Sequence, residues 1–239
     1  MDAVIFAVSF AFAVALVFLG TAAVDRRVAV AFALAAALYL GLDDLATGLP
    51  SKIAVLKLPG AHWNWVGKIA SLLLSALVIV ALRMSPAAVG LTRRQEHKRI
   101  GAAALVLFVV WGACIGALFK PGQADAETLA FQATMPGLVE EIAYRGIGPA
   151  ILLGLVRRRA PFAGMPWAVI VATSIAFGVW HGLGYSSGRF NFDAMSAAVP
   201  LVGSIAGGWV RFKTGSLVVP ILGHGLANVA FHVVGGLLA

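Results

Sequence analysis

A chain of 239 residues that is 61% hydrophobic and only 12% charged, with a mean hydropathy of +0.94, is too apolar for a soluble domain, where about half the residues are apolar and about a quarter charged. Its net charge of +8 does not point to nucleic acid, because the basic residues sit in short segments between apolar runs, where they set membrane orientation. A single cysteine, Cys114, leaves no internal disulfide framework and no cysteine metal cluster.

Apolar runs predict helices at about 3–24, 28–42, 65–83, 100–119, 136–156, 163–183, 195–210 and 217–238. The first run lacks a basic n-region and a cleavage site, so it reads as a retained helix. Twelve basic residues fall in alternate loops: Arg26 and Arg27; Arg83, Arg93, Arg94, Lys98 and Arg99; Arg157, Arg158 and Arg159; Arg211 and Lys213. The opposite loops hold five, namely Lys52, Lys57, Lys68, Lys120 and Arg189. This bias implies eight spans, both termini outside and the basic loops in the cytoplasm of a multi-pass cell-membrane protein. The Ala- and Gly-rich usage suggests a bacterial inner membrane. The expected fold is all-α: a polytopic membrane helical bundle of about eight transmembrane helices. It forms one membrane domain over 1–239, with 3–120 free of motifs and 121–239 carrying the chemistry.

The long connection 43–64 carries Asp43, Asp44, Pro50 and Pro59 and ends in the interfacial pair Trp63 and Trp65. His62 in this connection and His97 in the connection 84–99 read as solvated side chains. Residues 121–135 suggest a short interfacial helix, with Pro136 starting the next one. Gly203 and Gly207 form a small-xxx-small pair suited to close helix packing.

A charged side chain near the bilayer centre costs about 2.5–3.5 kcal/mol, which makes such residues functional candidates. The 136–156 run holds three, Glu140, Glu141 and Arg145, in VEEIAYRG. Glu141 and Arg145 are four apart and share a helix face, whereas Glu140 is turned about 100° away and needs another partner. The run at 163–183 places Phe177 and His181 on one face. The run at 217–238 does the same for His224 and Asn228, with His232 continuing the stripe. Polar groups in hydrocarbon must meet one another or water. A lone His or Asn is ordinarily interhelical glue, and the Glu141–Arg145 pair and His232 read as structural. A Glu–His–His–Asn set, however, holds the parts needed to activate water and stabilise an oxyanion.

The strings Glu140-Glu141-x-x-x-Arg145, Phe177-x-x-x-His181 and His224-x-x-x-Asn228 resemble the CPBP family (CAAX protease and bacteriocin-processing, also called Abi), which includes the CAAX prenyl endopeptidases. The resemblance covers about residues 135–232. It implies a glutamic intramembrane endopeptidase that needs no metal or other cofactor and acts on membrane-associated proteins or peptides within the lipid bilayer. Glu140 would be the general base, helped by His181; His224 and Asn228 would donate to the oxyanion; Arg145 would hold Glu141. Two alternatives stand beside it: a zinc metallopeptidase built from the same carboxylates and imidazoles, and a proton-coupled transporter with a buried Glu–His relay. Linear depth counts against convergence, since Glu140 and His181 fall in the outer half and His224 nearer the cytoplasm. Tilted or broken helices, for instance through Pro220, Gly223 and Gly225, could bring them level.

Overall fold

The computed structural model describes residues 2–155 and 164–239. Helices dominate: α1 (Asp2–Val24), α2 (Val30–Gly48), α3 (Trp65–Ala81), the short α4 (Pro86–Val89), α5 (Lys98–Phe119), α6 (Ala126–Glu141), α7 (Gly148–Leu152), α8 (Trp167–Gly182), α9 (Ala194–Thr214) and α10 (Val218–Leu238). Among the described residues, four helices (α1, α2, α5 and α10) are long and apolar enough to cross a membrane, and α3 and α8 are shorter apolar helices. A hairpin of β1 (Leu183–Ser186) and β2 (Arg189–Phe192) pairs Leu183 with Phe192 and Ser186 with Arg189.

α1 shows how these helices seat. Ala7, Phe10, Val14, Phe18 and Thr21 recur every three or four residues and are buried, in large part against α2. Val4, Val8, Phe12 and Leu16 face outward, as an apolar helix in lipid should. The middle of the bundle is the unit formed by α6, a π-helical segment Ile142–Ile147 and α7; every residue from Val139 to Leu155 is buried. π segments inside α-helices occur frequently at functional sites. This one begins right after the two glutamates.

Several boundaries differ from the sequence expectation. α2 runs on to Gly48, so Asp43 and Asp44 are helical rather than in a connection. α6 starts at Ala126, where Asp125 accepts the Thr128 amide at 2.7 Å, and runs straight through Pro136. The capped start and side-chain ties described below hold that first turn, so no separate interfacial helix forms. The Gly203–Gly207 pair is not a close helix contact. The nearest atom to a Cβ added at Gly203 is Trp111 Nε1 at 3.9 Å, and at Gly207 it would meet Arg145 Nε and Glu141 Oε2 at 3.7 Å. Close approach occurs instead at Gly112 and Gly116 of α5, which lie against the backbone of Ala227 and Phe231 in α10. Arg211, expected in a loop, is buried in the last turn of α9 and donates to the carbonyls of Ala87 and Ala88. Arg157, Arg158 and Arg159 lie outside the described residues.

Candidate active site

The two glutamates close α6 and point to different partners. Glu141 Oε1 lies 3.2 Å from an Arg145 guanidinium nitrogen, the expected i, i+4 pair. The same oxygen lies 2.9 Å from His224 Nδ1, so Glu141 also orients an imidazole from α10. A carboxylate accepts, which puts the proton on Nδ1. His224 Nε2 is then 3.8 Å from Glu140 Oε2. The ring therefore sits between the two carboxylates, bonded to Glu141 and facing Glu140 across 3.8 Å.

Glu140 has a partner that the sequence reading placed in an outer loop. Lys68, in the first turn of α3, donates from Nζ to Glu140 Oε1 at 2.7 Å. Both side chains are below 10% exposed. The signal available in the sequence was a lysine three residues after the interfacial Trp65, inside an otherwise apolar run. Among the described residues, Glu140 Oε2 is buried without a hydrogen-bond partner.

His181 Nδ1 lies 2.9 Å from the Phe177 carbonyl. A carbonyl only accepts, so Nδ1 carries hydrogen in the neutral ring and Nε2 keeps its lone pair. The Phe177 ring packs edge-on against His181 with centroids 4.4 Å apart and against Tyr144 at 4.9 Å. Arg145 lies over the same ring at 4.2 Å, a cation–π contact. Asn228 is engaged as well: its Nδ2 donates to Gln132 Oε1 at 2.9 Å, which gives α6 a second hold on the α10 stripe. Gln132 lies two turns before Glu140 and carried no motif.

Close packing resolves the depth difficulty without a helix break. α10 is continuous from Val218, with Pro220 in its first turn. α6 and α10 cross where both lack a Cβ: one added at Gly137 would strike Ile221 O, and one at Gly225 would strike Ala133 O. The crossing seats His224 beside Glu141. Glu140, Glu141, Arg145, Phe177, His181, His224 and Asn228 all line one cavity of about 660 Å³, together with Lys68, Gln132, Trp180 and His232. His232 packs edge-on against Phe231, 5.0 Å between centroids. A cavity this size is in the range that holds small ligands, and the few charged and polar side chains on its largely apolar wall need one another or water as partners.

Behind Lys68 lies a second polar layer from α2 and α3. Asp43 accepts from Ser71 Oγ, Asp44 accepts from Trp180 Nε1 at 2.7 Å, and Tyr39 and Ser75 share a hydrogen bond at 2.9 Å. At the start of α6, Glu127 accepts from the backbone nitrogens of His62 and Trp63 and from Trp65 Nε1, at 3.0–3.2 Å. Trp63 Nε1 donates to Thr128 and its ring stacks on Phe131. The His62 side chain is solvated, as expected, at 74% exposed; it is the backbone amide of this residue that joins the clamp between the start of α3 and α6. Among the described residues, His62, Asp125 and Glu127 are the one set of three or more His, Cys, Asp or Glu side chains whose candidate ligand atoms lie within 4.8 Å of one another. Glu127 already spends both oxygens on the clamp.

The family model described as Type II CAAX prenyl endopeptidase Rce1-like matches residues 123–230, from the cap of α6 to the His224–Asn228 stretch of α10. Comparison with curated proteins and with solved structures finds no match. The matched stretch, residues 123–230, contains all three polar strings and is similar to the Rce1-like type II CAAX prenyl endopeptidases, the CAAX protease group that those strings resemble.

Proposed function

We propose that the protein is a glutamic-type intramembrane endopeptidase that hydrolyses peptide bonds of membrane-associated proteins or peptides. The observation that carries this reading is the pairing of a buried, unpartnered carboxylate oxygen, Glu140 Oε2, with His224 Nε2 at 3.8 Å inside a cavity lined by both. A water between them would give its proton to Glu140 while its oxygen attacks the scissile carbonyl carbon. His181 Nε2, with its lone pair directed by the Phe177 carbonyl, assists as a second acceptor. The oxyanion receives hydrogen bonds from Asn228 Nδ2 and from His224, which can donate through Nε2 only as imidazolium because Nδ1–H is committed to Glu141. As the tetrahedral adduct collapses, the C–N bond breaks and the proton passes from Glu140 to the leaving amine. Each preorganised donor typically contributes about 3–4 kcal/mol in such sites.

The zinc alternative is weakened by Lys68. Its ammonium lies 2.7 Å from Glu140 Oε1, offers no lone pair, and would set a second cation beside any zinc held on Oε2. Activity that survives exhaustive chelation tests this directly. The whole chain, 1–239, forms one membrane unit in this reading, with eight crossings, both termini outside and a bacterial inner membrane as its setting. The decisive experiment compares membrane proteomes of cells carrying the wild type with those carrying Glu140→Gln or His224→Ala. Uncut precursors accumulate in both variants if the reading is right; proteomes identical to wild type, from variants that still insert, would sink it.

A further inference from the structure

The cation on Glu140 lies outside the segment that matches the family. Lys68 belongs to α3, as Asp43 and Asp44 belong to α2, and residues 123–230 contain none of them. We propose that Lys68 is a positioning residue for the reaction: its ammonium holds Glu140 ionised through Oε1 and leaves Oε2 turned towards His224 and the cavity. The inference rests on the reading of Glu140 as the base.

Four observations converge on it. First, the pair is one-sided. Lys68 takes Glu140 Oε1 at 2.7 Å, while Oε2 makes no hydrogen bond among the described residues and faces the His224 ring. An ion pair serving only to glue helices would be most stable with both oxygens satisfied, because an unpaired buried acceptor is costly. Here the cost falls on the atom the reaction uses.

Second, both partners line the cavity, so the pair sits at the reacting centre. Third, the ammonium is itself held from behind. It lies 5.2 Å from the centroid of the Trp180 ring, and Trp180 Nε1 is anchored on Asp44. Ser71, one turn along the same face of α3, donates to Asp43. Two α2 carboxylates thus back the layer that Lys68 occupies, which favours a cation in a setting where a lone lysine would be expensive.

Fourth, the backbone just before Lys68 is tied to two other helices. Asn64 caps α3 by accepting from Gly67 N at 3.0 Å and donates to Thr47 O of α2 at 2.7 Å. A side chain at Gly67 would collide with that carbonyl. The Glu127 clamp then ties residues 62–65 to α6, the helix that carries Glu140. The reach from Lys68 to Glu140 is therefore set by packing from two directions, as positioning within a fraction of an ångström requires.

Isotope-edited infrared difference spectra of the inserted protein, taken against Glu140→Gln, isolate the Glu140 carboxyl and test this without any substrate. The wild type should show an ionised carboxylate at neutral pH; Lys68→Met should show a protonated carboxyl instead; Lys68→Arg, which restores the charge, should recover the carboxylate signal. If Lys68→Met does not insert, Lys68→Gln keeps a hydrogen-bond donor without the charge and reads the same band. A carboxylate band unchanged in Lys68→Met overturns the proposal. So does its loss in Lys68→Met and Lys68→Arg alike, which would assign the effect to packing. In cells, processing of the precursor that accumulates with Glu140→Gln should slow by about 100-fold in Lys68→Met, the loss expected when a reacting group is misplaced by about 1 Å. Lys68→Met should add nothing in the Glu140→Gln background; an equal additional loss there would show that Lys68 acts elsewhere. If Glu140→Gln itself leaves processing intact, the base assignment fails while the infrared result still decides the role of Lys68.

Discussion

His224 Nδ1 lies 2.9 Å from Glu141 Oε1, on the same oxygen that Arg145 approaches at 3.2 Å. The second glutamate is therefore a joint between a cation on its own helix and an imidazole on another, and removing it exposes two partners at once. Glu141→Ala leaves Arg145, 4% exposed, without its counter-charge. Loss of one member of a buried pair costs about 3–5 kcal/mol, so the variant should unfold in detergent at markedly lower denaturant. Glu141→Gln keeps an acceptor for His224 and should lose less. Equal stability of wild type and Glu141→Ala would contradict the joint.

Asn228 reaches the cavity with its amide already donated to Gln132. Gln132 thus sets which way that amide points, without itself meeting the other polar strings. Gln132→Ala should lower precursor processing about tenfold, less than the 10²–10³ that accompanies loss of an oxyanion donor itself. Its effect on unfolding should stay near the ~1 kcal/mol of one net hydrogen bond. An activity loss matched by an equal loss of folded protein would reduce Gln132 to packing.

The three polar strings and the helical class were legible in the sequence because an ionisable residue in an apolar run is conspicuous and helix periodicity predicts its neighbours. Glu141 with Arg145 follows from i, i+4 spacing alone. What spacing cannot show is which helices touch. Lys68 looked like one more interfacial lysine because its run starts only three residues earlier, at Trp65, and nothing local says that α6 lies opposite. Asp43 and Asp44 looked like loop residues because paired aspartates are poor helix formers; Ser71 and Trp180, supplied by α3 and α8, are what make them acceptable inside α2. Gln132 and Gly137 matter only through α10, a contact formed across about 90 residues of sequence.

Glycine roles separate in the same way and give a paired test. A Cβ at Gly112 would meet the Ala227 backbone, which cannot swing aside, whereas at Gly203 the nearest atom is 3.9 Å away. Gly112→Ala should therefore lower stability by about 1–3 kcal/mol, the range for overpacking. Gly203→Ala should stay within about 0.5 kcal/mol of wild type. Thermal unfolding of both variants in one detergent decides the comparison, and a reversed order would refute the close α5–α10 contact.

The clamp at the start of α6 has a pH signature of defined sign. The His62 backbone amide foremost, with the Trp65 indole and the Trp63 amide, holds the Glu127 carboxyl below the usual carboxylate range. A carboxyl depressed in the folded state adds stability that is fully present above its unfolded value, about 4.3, and is lost as pH falls through the folded value. The unfolding temperature of the wild type should accordingly drop as pH is taken below about 4.3. Glu127→Gln should unfold earlier at neutral pH and fall less steeply over that acid window. Some slope should persist, because the Asp125 carboxyl is also lowered, chiefly by its hydrogen bond with Thr128. Superimposable pH profiles for wild type and Glu127→Gln would show that the clamp does not hold α3 to α6, and the reach of Lys68 to Glu140 would then need another support.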